Sequence, residues 1–146
     1  MKFKAFYSVV LIVFLSGCIS SKFQAESAKL GTQAVLDQQV AAWNRGDMNG
    51  YMQGYWKSDS LQFIGRKGVN YGWEKTLQNY QRSYPNAEAM GQLALTVLHV
   101  EDINPTTAYV TGKWHLTRSM GNLEGYFTLL LRKIDNEWKI VSDHSS

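Results

Sequence analysis

The stretch Thr107–Arg118, TAYVTGKWHLTR, alternates strictly. Ala108, Val110, Gly112, Trp114 and Leu116 form one set, and Thr107, Tyr109, Thr111, Lys113, His115 and Thr117 form the other. Successive strand residues point to opposite faces. One face of this strand must therefore be covered, while the other is wet or forms an interface. Leu93–Val100, Leu123–Lys133 and Trp138–His144 also read as strands, and the turn-like strings NPT, SMGN and DNE separate them. A run of strands with one apolar face needs a cover, and the upstream half of the chain has to supply it.

That half has helical spacing. From Ala28 to Arg45, apolar residues fall at Leu36, Val40 and Trp43, flanked by Ala34, Ala41 and Ala42. Gly46 stops this helix, and Asp47 is a good N-cap for a second one, Met48 to Lys57. Ser60–Gly65, SLQFIG, reads as a strand ending in a glycine-rich turn. A third helix runs from Gly72 to Tyr84, with Trp73, Leu77, Tyr80 and Tyr84 on one stripe. Pro85 ends it, because a residue before proline avoids helical backbone. Helices first and antiparallel strands after them predict an α+β fold, three helices on one face of a strongly curved antiparallel sheet. No internal repeat or low-complexity segment divides the chain.

The N-terminus is of a different kind. Lys2 and Lys4 precede an apolar run, Phe6–Leu15, about half the roughly 20 residues a helix needs to span a bilayer. Basic start, short apolar core and small-residue exit describe a secretory signal. Leu15-Ser16-Gly17 directly before Cys18 resembles a bacterial lipobox. That resemblance implies a lipid on Cys18, cleavage just before it, and anchorage to a membrane. The chain then divides into a signal (1–17), a lipidated tether (18–27) and a folded domain (28–146). Ile19-Ser20-Ser21 contains no Asp, which by resemblance to diderm sorting signals implies the periplasmic face of the outer membrane. Losing residues 1–17 removes two lysines and no acid, so the net charge of +3 drops by two, to +1. No basic cluster remains, so a nucleic-acid partner is not expected. Cys18 is the only cysteine, so no disulfide forms within the chain.

Four segments resemble a known superfamily: AAWNRGDMNGYMQGYW, GWEKTLQNYQRSYP, AYVTGKWHLTR and GYFTLLLRKIDNEWKIVSDHSS. They are similar to nuclear transport factor 2-like proteins, on the bacterial branch near the SnoaL-like proteins and the association domain of calcium/calmodulin-dependent protein kinase II. The resemblance covers Leu30 to Ser146. It implies a cone, a bent sheet wrapped on three helices, with a pocket at the wide end and a homodimer. It does not fix a function, because this superfamily hosts isomerases, cyclases, dehydratases, binding modules and assembly domains.

The steroid isomerases of the superfamily use a carboxylate base with a tyrosine and a protonated aspartate as donors. At the matching positions this chain has Phe63-Ile64, Gln39 and Leu129, so that chemistry is not expected. The remaining polar pair is Asp143-His144. If Trp138 and Ile140 face inward, alternation sends Ser142 and His144 inward and Asp143 outward. His144 is then a weak candidate for a general base; a structural bond closing the last strand is the favoured account of it. His99 and His115 share no metal-ligand spacing with it, so neither a metal nor a cofactor is expected. Asp47 in NRGD is accounted for as a helix cap. Arg82 lies just off the third helix's apolar stripe, where it either reaches an anionic ligand or stays solvated.

Aromatic residues carry the strongest signal. Trp43, Tyr51, Tyr55, Trp56, Phe63, Trp73, Tyr80 and Trp114 all fall on elements that line the cone in the superfamily. Most are core, but pockets are mostly apolar with a few placed polar groups. The ligand contacts expected are Trp43, Tyr55, Trp56, Phe63, Tyr80, Arg82, Trp114 and His144, around a small hydrophobic or aromatic molecule. Two rival readings are an enzyme of the cyclase, dehydratase or isomerase kind using His144, and an oligomeric interaction module using the wet face at Tyr109, Thr111, Lys113 and His115.

Overall fold

The computed structural model describes the backbone of residues 16–146 and the side chains of residues 28–146. Residues 1–15, and with them most of the expected signal, lie outside the described residues. The elements in order are α1 (Ser16–Asn44), α2 (Met48–Met52), β1 (Gln62–Gly65), β2 (Gly68–Tyr71), α3 (Trp73–Ser83), α4 (Ala87–Met90), β3 (Gln92–Asn104), β4 (Thr107–Thr117), β5 (Leu123–Ile134) and β6 (Glu137–Ser145). The six described strands form one sheet in the order β2-β1-β6-β5-β4-β3. The result is an α+β fold in which helices cover one face of a curved sheet. None of the helices among the described residues is long and apolar enough to cross a membrane.

Several expectations are corrected. The first helix begins at Ser16 rather than Ala28, so residues 18–27 are helical backbone. SKFQAESAK holds no glycine or proline to interrupt it. The second helix ends at Met52, not Lys57. Gly54 packs against Gln39, leaving no room for a β-carbon, and the chain then leaves the helix to bond to β6. Ile140 N–H donates to Gly54 O at 2.9 Å, and Trp56 N–H donates to Ile140 O at 2.9 Å. There are four described helices, not three: after Pro85, Asn86 caps a single further turn by accepting from Ala89 N–H, and Gly91 at φ +60° ends it. The glycine-rich turn after β1 is the start of a hairpin to β2. Nor is the sheet wholly antiparallel, because β1 runs parallel to β6.

Three bulges shape the sheet. Leu98 and Ile103 are extra residues in β3 opposite β4, and Val141 is an extra residue in β6 opposite β5. Such insertions bend a strand and raise its twist. The concave face that results holds Val110, Leu116, Phe127, Leu129, Leu131 and Ile140 against Leu36, Trp43, Met52, Leu61, Trp73 and Leu77 from the helical side.

Polar clamps fix the helices on this face. Asn44, at the end of α1, donates to Leu93 O at 3.0 Å and accepts from Leu93 N–H at 2.6 Å, satisfying both backbone groups of one β3 residue. The Trp43 indole donates to Met90 O at 3.1 Å and the Trp73 indole to Met52 O at 2.9 Å. Asp47 caps α2 as expected, accepting from Gly50 N–H at 2.7 Å.

Candidate functional site

Between the helices and the concave face lies a cavity of about 760 Å³. Its position follows from the patterns above. Alternation on β4 sends Trp114 and Leu116 inward, the α1 and α3 stripes bring Trp43 and Tyr80, and the β1–β2 hairpin forms one side of the mouth. Trp43, Leu95, Trp114 and Phe127 line its walls.

The deep end is polar. Tyr51 and Tyr55 are four residues apart in sequence, and Tyr80 faces them from α3. The three hydroxyl oxygens form a triangle with each side 3.4 Å. The Tyr55 hydroxyl donates to Asp143 Oδ2 at 2.7 Å, and the Ser145 hydroxyl donates to Asp143 Oδ1 at 2.7 Å. Asp143 is only 4% exposed. Burial pushes its carboxyl up to about 6, although the Tyr55 and Ser145 donors and nearby His144 pull the other way. Burial likewise pushes Tyr51 up to about 12 and raises Tyr55 and Tyr80 well above the usual phenol range. The phenols therefore stay protonated at neutral pH, as donors.

Each phenol has one proton to give. Tyr55 spends its proton on Asp143. The contacts of Tyr51 and Tyr80 are long for O–H···O bonds, whose usual length is about 2.7–2.8 Å. A ligand oxygen near these two hydroxyls would make shorter bonds than they make now. The rings are braced edge-on: Trp43 packs on Tyr51 at 5.0 Å and on Tyr84 at 4.8 Å between centroids, and Phe63 packs on Tyr80 at 5.7 Å. The Trp114 indole nitrogen is buried with no hydrogen-bond partner.

Of the eight residues expected at the pocket, Trp43, Tyr55, Phe63, Tyr80, Arg82 and Trp114 line this cavity. Trp56 and His144 do not. Trp56 faces a separate depression with Arg132 and Val141, because the chain has turned out of α2 to pair with β6. His144 is exposed on the outer face, and Asp143 points in. The bulge at Val141 is the cause. It puts Ile140 and Val141 both in buried positions and inverts the alternation beyond them. The inward orientation assigned to His144 therefore belongs to Asp143.

Tyr51, Arg66, Lys67 and Gln39, which are not among the expected ligand contacts, also line the cavity. α2 ends at Met52, so Tyr51 and Tyr55 share no helical face, and only the tertiary structure brings their hydroxyls together. Gln39, Phe63 and Leu129, which stand where the steroid-isomerase groups would be, all line the cavity. Gln39 is occupied there as a donor to Tyr51 O at 3.2 Å. Among the described residues no group of three or more His, Cys, Asp or Glu could hold a metal ion.

Comparison with known proteins fits this architecture. A nuclear transport factor 2-like protein of unknown function from Shewanella oneidensis is 42% identical, with a TM-score of 0.75 over 77% of this chain and 93% of that one. A ketosteroid isomerase-like protein from Erwinia carotovora atroseptica shares the fold at 16% identity, TM-score 0.63, over 80% of this chain and 93% of that one. A nuclear transport factor 2-like superfamily protein from Salmonella enterica shares it at 17% identity, TM-score 0.62, over 87% and 92%. No curated protein matches the sequence. The SnoaL-like domain family matches residues 33–146. On that match and the Shewanella relative, the chain belongs to the SnoaL-like domain family, with its nuclear transport factor 2-like α+β fold and curved sheet.

Proposed function

We propose that the domain binds a small, largely apolar or aromatic molecule in the cavity, with an oxygen of that molecule held by the Tyr51 and Tyr80 hydroxyls. The observation that carries this reading is the hydroxyl triangle above Asp143 at the deep end of an aromatic-walled space. A cavity of about 760 Å³ falls in the size range of small-molecule sites. The test is native mass spectrometry of the domain purified from its own host without lipid, followed by denaturation. A discrete small molecule, reduced in the Tyr51→Phe/Tyr80→Phe variant, supports the reading. An empty cavity that also takes up no aromatic carbonyl compound from a fragment library overturns it.

A second reading is favoured by one observation: a buried carboxyl held near 6 and hydrogen-bonded to a phenol. Proton transfer at neutral pH wants such a group. Any catalytic role then belongs to Asp143 and not to exposed His144. Turnover with a limb near pH 6 that disappears in Asp143→Asn would support it; the same limb retained in the variant would rule it out.

The proposal includes a tether. Cys18 following Leu15-Ser16-Gly17 carries a lipid that holds the domain at a membrane, on the periplasmic side in a diderm host. The support is the sequence pattern alone. Cys18→Ser should abolish palmitate labelling and processing in the host, and persistent labelling would refute the tether.

A further inference from the structure

The mouth of the cavity carries positive charge that the depths do not. Arg66, Lys67 and Arg82 line it, and all three are exposed. Among the described residues none of them is in a salt bridge; the pairs there are Arg45–Asp47, His115–Glu124 and Lys139–Glu137. Arg82 makes only a side-chain bond to Asn79, a neutral partner. Among the described residues the one acid lining the cavity is Asp143, at the opposite end. Phe63 is paired with Asp143, and Arg66 lies three residues further along the chain, about 10 Å at strand spacing.

The hairpin itself does not call for these residues. Arg66 and Lys67 form the two-residue tip between Gly65 and Gly68. Neither Arg66 nor Lys67 has positive φ, so the tip sets no demand for Asn, Asp or Gly at either position and none for a cation. Here Gly68, at φ +104°, takes up the unusual backbone instead. Burial raises the Tyr84 hydroxyl, and the charges of Arg118 and Arg66 pull it back down. Tyr84 lines the same cavity as Arg66, Lys67 and Arg82.

Resting on the ligand-binding reading above, we infer that the ligand is an aromatic anion, its ring body between Trp43, Trp114 and Phe127 and its acidic group at Arg66, Lys67 and Arg82. The ring walls favour a flat aromatic body, through edge-on and face contacts. Unpaired cations at an opening attract an anion and hold its charged end outward in water-accessible space. The tyrosine hydroxyls then meet whatever oxygen lies at the far end.

Two dyes test this: 1-anilinonaphthalene-8-sulfonate and N-phenyl-1-naphthylamine, which share a ring system and differ in the sulfonate. At low salt the sulfonate should bind the domain about tenfold more tightly than the neutral dye. Arg66→Gln/Lys67→Gln/Arg82→Gln should remove that advantage and leave the neutral dye unchanged. Raising salt from about 0.02 to about 0.5 M should erode it in the same way. Leu95→Trp, which plugs the wall, should abolish both dyes. Equal binding of the two dyes, or a sulfonate advantage that survives the triple variant, overturns the anion inference and leaves the cavity reading standing. Binding of neither dye, or binding untouched by Leu95→Trp, overturns both. Displacement of the sulfonate dye by dodecanoate at a concentration where 2-naphthoate does nothing overturns the aromatic body.

Discussion

Tyr55 and Asp143 stand 88 residues apart in sequence and share a 2.7 Å hydrogen bond at the deep end of the cavity. One comes from the exit of α2, the other from the last strand beyond its bulge. The bond joins a phenol raised by burial to a carboxyl raised by burial. Much of what can be measured on this protein turns on that pair.

The first consequence is a pH dependence of stability. The folded Asp143 carboxyl sits at about 6, above its ordinary 3.8. Below about 3.8 the folded and unfolded chains both hold the proton, and the group costs nothing. Between 3.8 and 6 only the unfolded chain releases it, so stability falls as pH rises through that window. Above 6 the loss is complete, about 3 kcal/mol for a shift of this size. Asp143→Asn has no such window. Relative to the parent it should be more stable at pH 7.5 than at pH 4 by about that amount. Urea melts of both proteins at the two pH values check this, and parallel behaviour would refute it.

Tyr55→Phe removes the donor and leaves Asp143 Oδ2 without its partner. A hydrogen bond to a charged group is worth about 1.5–3 kcal/mol, and most of that loss should appear only where Asp143 is ionised. The variant should therefore be much weaker than the parent at pH 7.5 and only slightly weaker at pH 4. Carboxyl carbon chemical shifts across a titration should show Asp143 moving further up. A downward move would mean the phenol does not support the ionised form.

Gly112 faces inward on β4 with no room beside it. A β-carbon there would lie 2.2 Å from Phe127 Cζ and 2.7 Å from the Thr96 carbonyl oxygen. The ring can turn, but the neighbouring strand's backbone cannot yield without breaking the ladder. Gly112→Ala should cost about 1–3 kcal/mol or more, despite alanine's lower entropy cost in the unfolded chain. A melting temperature at or above the parent's would contradict this.

The three inward indoles should differ. Trp43 and Trp73 donate to Met90 O and Met52 O, whereas the Trp114 nitrogen is buried without a partner. Trp43→Phe and Trp73→Phe should each lose a hydrogen bond worth about 1 kcal/mol in addition to packing. Trp114→Phe loses packing but also relieves a desolvated donor, so its cost should be the smallest of the three. Denaturant midpoints with equal slopes give the ranking. A larger cost at Trp114 than at Trp43 would show that its nitrogen is satisfied in solution.

The long elements were legible because local rules and tertiary demand agree in them. The β4 alternation, the Trp73–Leu77–Tyr80–Tyr84 stripe and the Asp47 cap all stand where periodicity and capping put them. Short elements were not. The single turn of α4 and the four-residue β2 hold too few residues to show a period. Most of the cavity's aromatic wall followed from the stripes, so Trp43, Tyr80 and Trp114 were found. Asp143 was not, because one extra residue at Val141 inverts every position after it. The only local hint was two consecutive apolar residues, Ile140 and Val141, in a strand that otherwise alternates.

By itself, then, the sequence determined the class of fold, which elements form it and which faces are apolar. Those properties depend on periods of two and 3.6 residues, and periods are written along the chain. Only the tertiary structure decided that β1 joins β6 in parallel, that Tyr51, Tyr55 and Tyr80 close into a triangle, and that Asp143 rather than His144 faces them. These depend on strand register and on a bulge, which are settled by packing between residues far apart in the chain. Along the chain they leave only one trace, the consecutive apolar pair Ile140-Val141 at the bulge.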